Sequence, residues 1–151
     1  MFRARNKSAW RIFGVVSARL LSDPRGAVRI LVVDDEYECG VLLSRFLRRL
    51  GHEPLVALDP EDALAMLDDE VSAVVTDIDM PGMNGVELAK EILARHGDMP
   101  ITFCTGSDPE GDLAQGAARI GPVVSKVRTM DAARTVVALA TARAGVFDKS
   151  A

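Results

Sequence analysis

The chain has 151 residues, a formal charge of −4 and a mean hydropathy of +0.14, with 48% hydrophobic and 26% charged residues. This composition supplies enough apolar mass for the core of one domain and argues against a disordered chain. The acidic balance gives little support to nucleic-acid binding through a basic face, and no apolar run is long enough to span a bilayer.

Residues 1–27 differ in charge from the rest of the chain. They carry six basic side chains and the single acid Asp23, a balance of +5, so the remainder carries −9. Apolar residues such as Trp10 and Phe13 alternate with arginine and serine in this basic N-terminal extension. We expect a disordered or non-native leader. The alternatives are a basic amphipathic helix that lies on a membrane or a partner, and an organellar transit peptide.

From Val28 onward, short apolar runs alternate with helix-like segments, a pattern typical of βα units around a parallel sheet. Arg29–Val33 is expected to be a strand buried on both faces, because it is almost continuously apolar and β-branched. The helix after it is expected to end at Gly51 in a left-handed conformation. The apolar residues at helical spacing in this helix are Val41, Leu42, Phe46, Leu47 and Leu50. A strand at Glu53–Ala57 and a helix that starts at Pro60 follow, with Ala63, Leu64 and Leu67 on one apolar face.

The second half of the chain repeats this alternation three times. Its fourth helix is predicted to be weak and its surroundings mobile, because Gly111 and Gly116 each cost about 1 kcal/mol relative to alanine in a helix interior. The predicted strands are Val71–Thr76, Pro100–Cys104 and Pro122–Ser125, and the predicted helices are Val86–Ala94, Pro109–Arg119 and Met130–Arg143.

Five such units with right-handed crossovers predict an α/β fold, a doubly wound, flavodoxin-like parallel sheet of order 2-1-3-4-5 with helices on both faces. Ligands of such sheets bind outside the carboxyl ends of the strands. Asp34 and Asp35 follow the first strand, and Asp77 follows the third. Thr105 ends the fourth run and Lys126 ends the fifth. We therefore expect these side chains to meet at one edge of the sheet.

The chemistry of this group favours a divalent metal beside a phosphoryl group. Three neighbouring carboxylates repel one another, so they take up protons or share a cation. Oxygen ligands next to a phosphoryl group suit Mg²⁺. Asp77 lies on the central strand and is the predicted nucleophile, since a carboxylate can form an aspartyl-phosphate. Lys126 would neutralise phosphoryl oxygens, and Thr105 would donate a hydrogen bond.

The chain from about Arg29 to Ala144 resembles a receiver domain of a two-component response regulator, of the stand-alone chemotaxis-regulator type. The resemblance rests on Asp34 and Asp35, on Asp77 followed by Met80-Pro81-Gly82-Met83-Asn84-Gly85, on Thr105-Gly106 and on Lys126. It implies a receiver domain at residues 28–145 and a short tail at residues 146–151.

The resemblance also implies roles for the acids. Asp77 would accept a phosphoryl group from a sensor histidine kinase or a histidine phosphotransfer protein. Asp35, Asp77 and the backbone carbonyl of Asp79 would bind Mg²⁺ directly, and Asp34 would act largely through water.

Residues on the neighbouring loops and several partners are implied in the same way. Thr105 and Lys126 would sense the phosphoryl group, and the positions of Asp79 and Ser107 would influence its lifetime. The output would be a downstream protein target, with no DNA binding and a possible homodimer through the fourth and fifth helices. A cytoplasmic location agrees with Cys39 and Cys104, the two cysteines of the chain, which are expected to be buried reduced thiols.

The sequence departs from the family in three places. Val123 stands where the family carries an aromatic switch residue. Val127 follows Lys126 where the family has proline after a cis peptide, and the fourth helix is rich in glycine. A cis peptide bond before a residue other than proline costs about 2.5–4 kcal/mol. The loop after Lys126 is therefore expected to differ from the family's loop or to be strained.

Two other functions remain open. The missing aromatic and proline favour a binding module that keeps the receiver fold and does not use phosphate. Asp77-Ile78-Asp79 resembles the nucleophile motif of haloacid-dehalogenase phosphatases, although there the motif follows the first strand. A receiver is not expected to be an enzyme, apart from autophosphorylation from small phosphodonors and autodephosphorylation.

Overall fold

The structure is a computed structural model that describes residues 26–148, with side chains described as far as residue 144. A five-stranded parallel sheet has the order β2-β1-β3-β4-β5, and this confirms the predicted fold. The strands are β1 Arg29–Val33, β2 Glu53–Ala57, β3 Val71–Asp77, β4 Ile101–Thr105 and β5 Val123–Ser125. The helices are α1 Tyr37–Arg49, α2 Pro60–Met66, α3 Gly85–His96, α4 Asp112–Ala118 and α5 Thr129–Asp148, and a 3₁₀ turn spans Lys126–Arg128. The predicted extension at residues 1–27 lies outside the described residues except for its last two.

The sheet separates two apolar layers. Ile30 and Val32 of β1 face α1 and α5, while Leu31 and Val33 face α2, α3 and α4. This alternation confirms that β1 is buried on both faces, as a continuously apolar strand requires. In the part of the chain that the structure describes, no helix has the length and apolar character needed to cross a membrane.

The buried face of α1 differs from the predicted one. Leu43 and Leu47, four residues apart, are buried, whereas Leu42 is 44% exposed. Leu47 was predicted to be buried, but Leu42 was assigned to the buried face in place of Leu43, because two adjacent leucines fit a helical period equally well. The predicted end of α1 is confirmed, because Gly51 has φ +87°. The amides of Gly51 and His52 donate to Arg48 O and Leu47 O, the pattern of a Schellman motif.

The last two helices also correct the prediction. Gly111 is the N-cap of α4 and lies outside the seven-residue helix, so only Gly116 interrupts it. α5 begins at Thr129 and continues to Asp148, past the predicted end at Arg143 and into the predicted tail. Alanine is the strongest helix former and recurs through this segment, which explains the extra length.

The buried side chains of α5 are small. Ala132, Ala133, Val136 and Ala140 face the sheet. Val137 and Leu139 are only partly buried. Small side chains allow α5 to lie close to β3.

Candidate functional site

Four acids meet at the carboxyl end of the central strands. Asp34 and Asp35 follow β1 directly, and Asp77 is the last residue of β3. One carboxylate oxygen from each of Asp34, Asp35, Glu36 and Asp77 lies within 4.8 Å of the others. The predicted convergence of the three aspartates is therefore present, and Glu36 joins them. These four acids and Lys126 are called the acid site below.

Asp77 is buried in this site. Its exposed fraction is 3%, and Asp34 beside it is also buried. Burial raises the pKa of Asp77 to about 6; the hydrogen bond from Lys126 opposes this rise, and the charge of Asp34 adds to it. Burial likewise raises the pKa of Asp34.

Lys126 is the cation that faces these acids. Its Nζ lies 3.0 Å from Asp77 Oδ2 and 3.2 Å from Asp34 Oδ2. A third contact, which the sequence did not predict, joins Nζ to Glu36 Oε1 at 3.0 Å. Burial disfavours the charge on Lys126, but the hydrogen bonds to Glu36 and Asp77 outweigh it and raise the pKa of the amine. Lys126 is thus held as an ammonium among three carboxylates.

The turn that follows β5 places Lys126. Ser125 Oγ accepts a hydrogen bond from Val127 N at 3.4 Å, and Thr129 Oγ1 donates to Lys126 O at 3.1 Å. No peptide bond in the described residues is cis. Val127 lies in the 3₁₀ turn, and its side chain is 90% exposed.

A chain of hydrogen bonds links the loops after β3 and β4. Thr105 is buried at the end of β4, and its Oγ1 accepts from Ser107 N at 3.0 Å. Ser107 Oγ donates to Asp79 Oδ2 at 2.8 Å, and Asp79 N donates to Asp77 Oδ1 at 3.3 Å. The two positions predicted to influence phosphoryl lifetime therefore contact each other directly. The role of the Asp79 carbonyl as a metal ligand stays a prediction.

The loop after Asp77 returns to β3 through a glycine. Gly85 N donates to Ile78 O at 2.8 Å. A Cβ atom at position 85 would lie 2.1 Å from the carbonyl oxygen of Asp77, so only glycine fits without a shift of the backbone. Asn84 and Glu87 form a capping box that starts α3 immediately after this contact.

Val123, the predicted switch position, is half-buried against the apolar layer that contains α4. It pairs in register with Phe103 of β4, which is fully buried. The aromatic bulk of this part of the core therefore lies on β4.

The two cysteines are free thiols. Cys104 is buried, and burial raises its pKa to about 12. Cys39 is only partly buried, so the prediction of two buried thiols is wrong for this residue.

The residues of the acid site fit Mg²⁺. Asp34, Asp35 and Asp77 supply hard carboxylate oxygens that converge, and Mg²⁺ is usually bound by one or two carboxylates together with waters and phosphate. In the part of the chain that the structure describes, one lysine faces the four acids, which leaves a net negative charge that a divalent cation would offset.

This chain is similar to known proteins in sequence and in fold. A family profile described as "Response regulator receiver domain" matches residues 30–142. An uncharacterized transcriptional regulatory protein of Bacillus subtilis, YrkP, is 39% identical over 90 residues, which are 60% of this chain and 38% of that protein. The matched part thus spans well under half of that relative.

Two solved structures are similar over most of this chain. A response regulator receiver domain protein from Clostridium thermocellum has a TM-score of 0.70 at 22% identity, covering 80% of this chain and 98% of that one. Response regulator protein TrrA from Thermotoga maritima, in complex with Mg²⁺-BeF, has a TM-score of 0.63 at 34% identity, covering 74% and 98%.

Proposed function

Because this chain belongs to the response regulator receiver domain family, we propose that it accepts a phosphoryl group on Asp77 from a sensor histidine kinase or a histidine phosphotransfer protein. The observation that supports this most directly is the contact between Lys126 Nζ and the buried Asp77 carboxylate at 3.0 Å, beside three further acids. An ammonium at this distance would stabilise the negative charge of a phosphoryl group bound to the same carboxylate.

The transfer is a displacement at phosphorus. One Oδ of Asp77 forms a bond to phosphorus, the bond from phosphorus to the donor atom breaks, and the donor keeps the electron pair. The nucleophile is the ionised carboxylate, which predominates at pH 7.5 because the pKa of Asp77 is about 6. Asp34, Asp35 and Asp77 would hold Mg²⁺, which when bound neutralises charge on phosphoryl oxygens.

The linked loops would respond to the new group. Phosphorylation adds about −1.5 to −2 charges and three acceptor oxygens. Thr105 at the end of β4 and Lys126 after β5 carry groups that would donate to it, and the hydrogen bond from Ser107 to Asp79 joins the neighbouring loops. We infer that this bond influences the lifetime of the phosphoryl group.

The partners and location follow from the proposed switching role. The output is a downstream protein bound in the cytoplasm, and α4 and α5 are the faces proposed for a homodimer. Relatives such as YrkP are named transcriptional regulators and extend well beyond the matched part, so the expectation of no DNA binding concerns the receiver domain only. The protein is not proposed to be an enzyme beyond its own phosphorylation and dephosphorylation.

A binding module that does not use phosphate is the second candidate. The absence of an aromatic at Val123 and the exposed Val127 favour it. The phosphatase alternative is disfavoured, because Asp77-Ile78-Asp79 follows the third strand in the chain.

Incubation with acetyl phosphate and Mg²⁺, followed by intact mass spectrometry, tests the proposal. The wild-type chain is expected to gain one phosphoryl group, and Asp77→Asn is expected to gain none. Asp98→Asn is the matched control, since it makes the same change at an exposed acid outside the acid site and leaves the acceptor in place. Absence of the adduct, with acetyl phosphate and with a kinase, would contradict the proposal and support the module; turnover of p-nitrophenyl phosphate would support the phosphatase.

A further inference from the structure

The position of Glu36 at the start of α1 does not explain the hydrogen bonds of its side chain. It is the N-cap residue of α1, where side chains usually accept a hydrogen bond from a backbone amide of the first turn, yet the Glu36 side chain accepts none from these amides. Its Oε2 accepts only a long bond from Cys39 Sγ, at 3.9 Å, within that turn. Its backbone amide donates to Asp34 Oδ1 at 2.9 Å, which fixes the start of its side chain next to the acid site. The carboxylate lies against Lys126 Nζ, 90 residues away along the chain.

The contact with Glu36 completes the hydrogen bonds of Lys126. An ammonium has three N–H donors, and the three acceptors here are Asp34, Asp77 and Glu36. Two of these acceptors are buried, whereas the side chain of Glu36 is 64% exposed. Of the three, Glu36 is therefore the acceptor that can move into water at the smallest cost in burial.

A phosphoryl group on Asp77 would need donors from Lys126. It brings three acceptor oxygens and further negative charge toward Glu36, whereas the bond to the Asp77 carboxylate, now 3.0 Å long, would release only one donor of the ammonium. Glu36 and the phosphoryl oxygens then compete for one ammonium, and their like charges repel one another.

We propose that Glu36 is a positioning residue that holds Lys126 before phosphorylation and competes with the phosphoryl group for its ammonium. The inference rests on the proposed function of Asp77. Its consequence is that loss of the Glu36 contact speeds phosphoryl acceptance and raises the phosphorylated fraction at steady state.

The test compares three changes at Glu36 with one matched control. Glu36→Ala removes the charge and the acceptor, Glu36→Gln removes the charge alone, and Glu36→Asp keeps the charge on a side chain that is one methylene shorter. Glu38→Gln is the control, because Glu38 is an exposed acid in the first turn of the same helix and has no contact with Lys126 among the described bonds.

Two measurements are made on the full chain. One is the rate constant for adduct formation with acetyl phosphate at saturating Mg²⁺, followed by intact mass. The other is the ¹⁵Nζ ammonium resonance of Lys126 by NMR, which reports the hydrogen bonds of the amine before any phosphoryl group is added. The wild-type amine is expected to give a resonance protected from exchange with water.

We expect Glu36→Ala to raise the rate constant about three- to tenfold, from loss of one repelling charge and one competing acceptor. Glu36→Asp is expected to raise it about twofold or more, and both variants should lose the protected Lys126 resonance. Glu36→Gln, which keeps an acceptor, should lie between wild type and Glu36→Ala. Glu38→Gln should stay within about 1.5-fold of wild type with the resonance unchanged.

Opposite outcomes overturn the inference. It is wrong if Glu36→Ala matches Glu38→Gln in rate, or if the Lys126 resonance is unaffected by Glu36→Ala. It is also wrong if Glu36→Asp behaves as wild type while Glu36→Gln is fast, since charge alone would then explain the effect. A wild-type chain that takes up no phosphoryl group overturns the proposed function and this inference with it, whereas the other outcomes leave the proposed function intact.

Discussion

The acid site and the β5–α4 side of the sheet, taken here as α4, β5 and Val127, differ in how firmly their residues are held. In the acid site, Lys126 bonds to residues 49 and 92 positions away, and Asp77 and Asp34 are buried. On the β5–α4 side, β5 has three residues, none of them fully buried, and α4 has seven residues that include Gly116. The residues that would receive a phosphoryl group are therefore fixed more firmly than the elements beside them. The departures from the family pattern fall on the less firmly held side.

Substitution of Gly85 is expected to give the largest effect. Gly85→Ala places a Cβ atom 2.1 Å from the carbonyl oxygen of Asp77 and 2.9 Å from Ile78 Cα. Because both contacts are with backbone, we expect a loss of about 3 kcal/mol or more in the free energy of unfolding. Urea denaturation followed by circular dichroism measures it. A loss below about 1 kcal/mol would show that the backbone of β3 at Asp77 can shift to accept the added Cβ atom.

Magnesium is expected to stabilise the acid site selectively. A ligand present at 100 times its Kd stabilises the folded state by about 2.7 kcal/mol. The increase in Tm should be larger at pH 7.5 than at pH 5, because the carboxylates must be ionised to bind the metal. Thermal denaturation with MgCl₂ or EDTA at both pH values tests this. Asp98→Asn, which changes an exposed acid at the other end of the sheet, should keep the full increase.

The pH dependence of stability in EDTA should also come from the acid site. The pKa of Asp77 is about 6 in the folded state, above the ordinary value of 3.8 for an aspartate. A carboxyl with a raised pKa contributes stability at low pH that is lost as the pH rises through about 6. Asp77→Asn should therefore stabilise the protein at pH 7.5 by about 1–2 kcal/mol, with the difference shrinking toward pH 4. Urea titrations between pH 4 and 8 measure this difference; a constant difference would show that Asp77 does not titrate in this range.

The smallest effect is expected on the β5–α4 side, from a glycine that has room for a side chain. At Gly116 a Cβ atom would meet only Val86 Cγ1 at 3.9 Å, an ordinary contact. Gly116→Ala should stabilise the protein by about 0.5–1 kcal/mol, because alanine restricts the unfolded chain and favours helix. Amide exchange of α4 should slow in this variant. A lower free energy of unfolding in this variant would mean that the space around position 116 is too small for a methyl group.

The sequence predicted the sheet and three of the four acids because those features are local. A continuous apolar run at Arg29–Val33 and a carboxylate directly after a strand can each be read from neighbouring residues. The buried face of α1 was not predictable, because Leu42 and Leu43 fit the helical period equally well. Glu36 was missed for a different reason: its partner, Lys126, lies 90 residues away, and only the folded sheet brings the two together.

The hydrogen bond between Ser107 and Asp79 shows the same limit. The sequence suggested both positions by resemblance, but it gave no sign that they touch, since 28 residues separate them. Gly111 was assigned to the interior of α4 because a helix start without a side-chain cap leaves little trace in sequence.

The close approach of Gly85 to the Asp77 carbonyl determines which segments can move when Asp77 is phosphorylated. Since no additional atom fits between them, the backbone beneath the acceptor cannot recede when its side chain grows by a phosphoryl group. The loops after β4 and β5 are less tightly packed. A Cβ atom at Gly106 would make only an ordinary contact with Lys126, and the side chain of Val127 extends into solvent. Displacement is therefore expected to be one-sided, with β3 stationary and the segments after β4 and β5 moving relative to it.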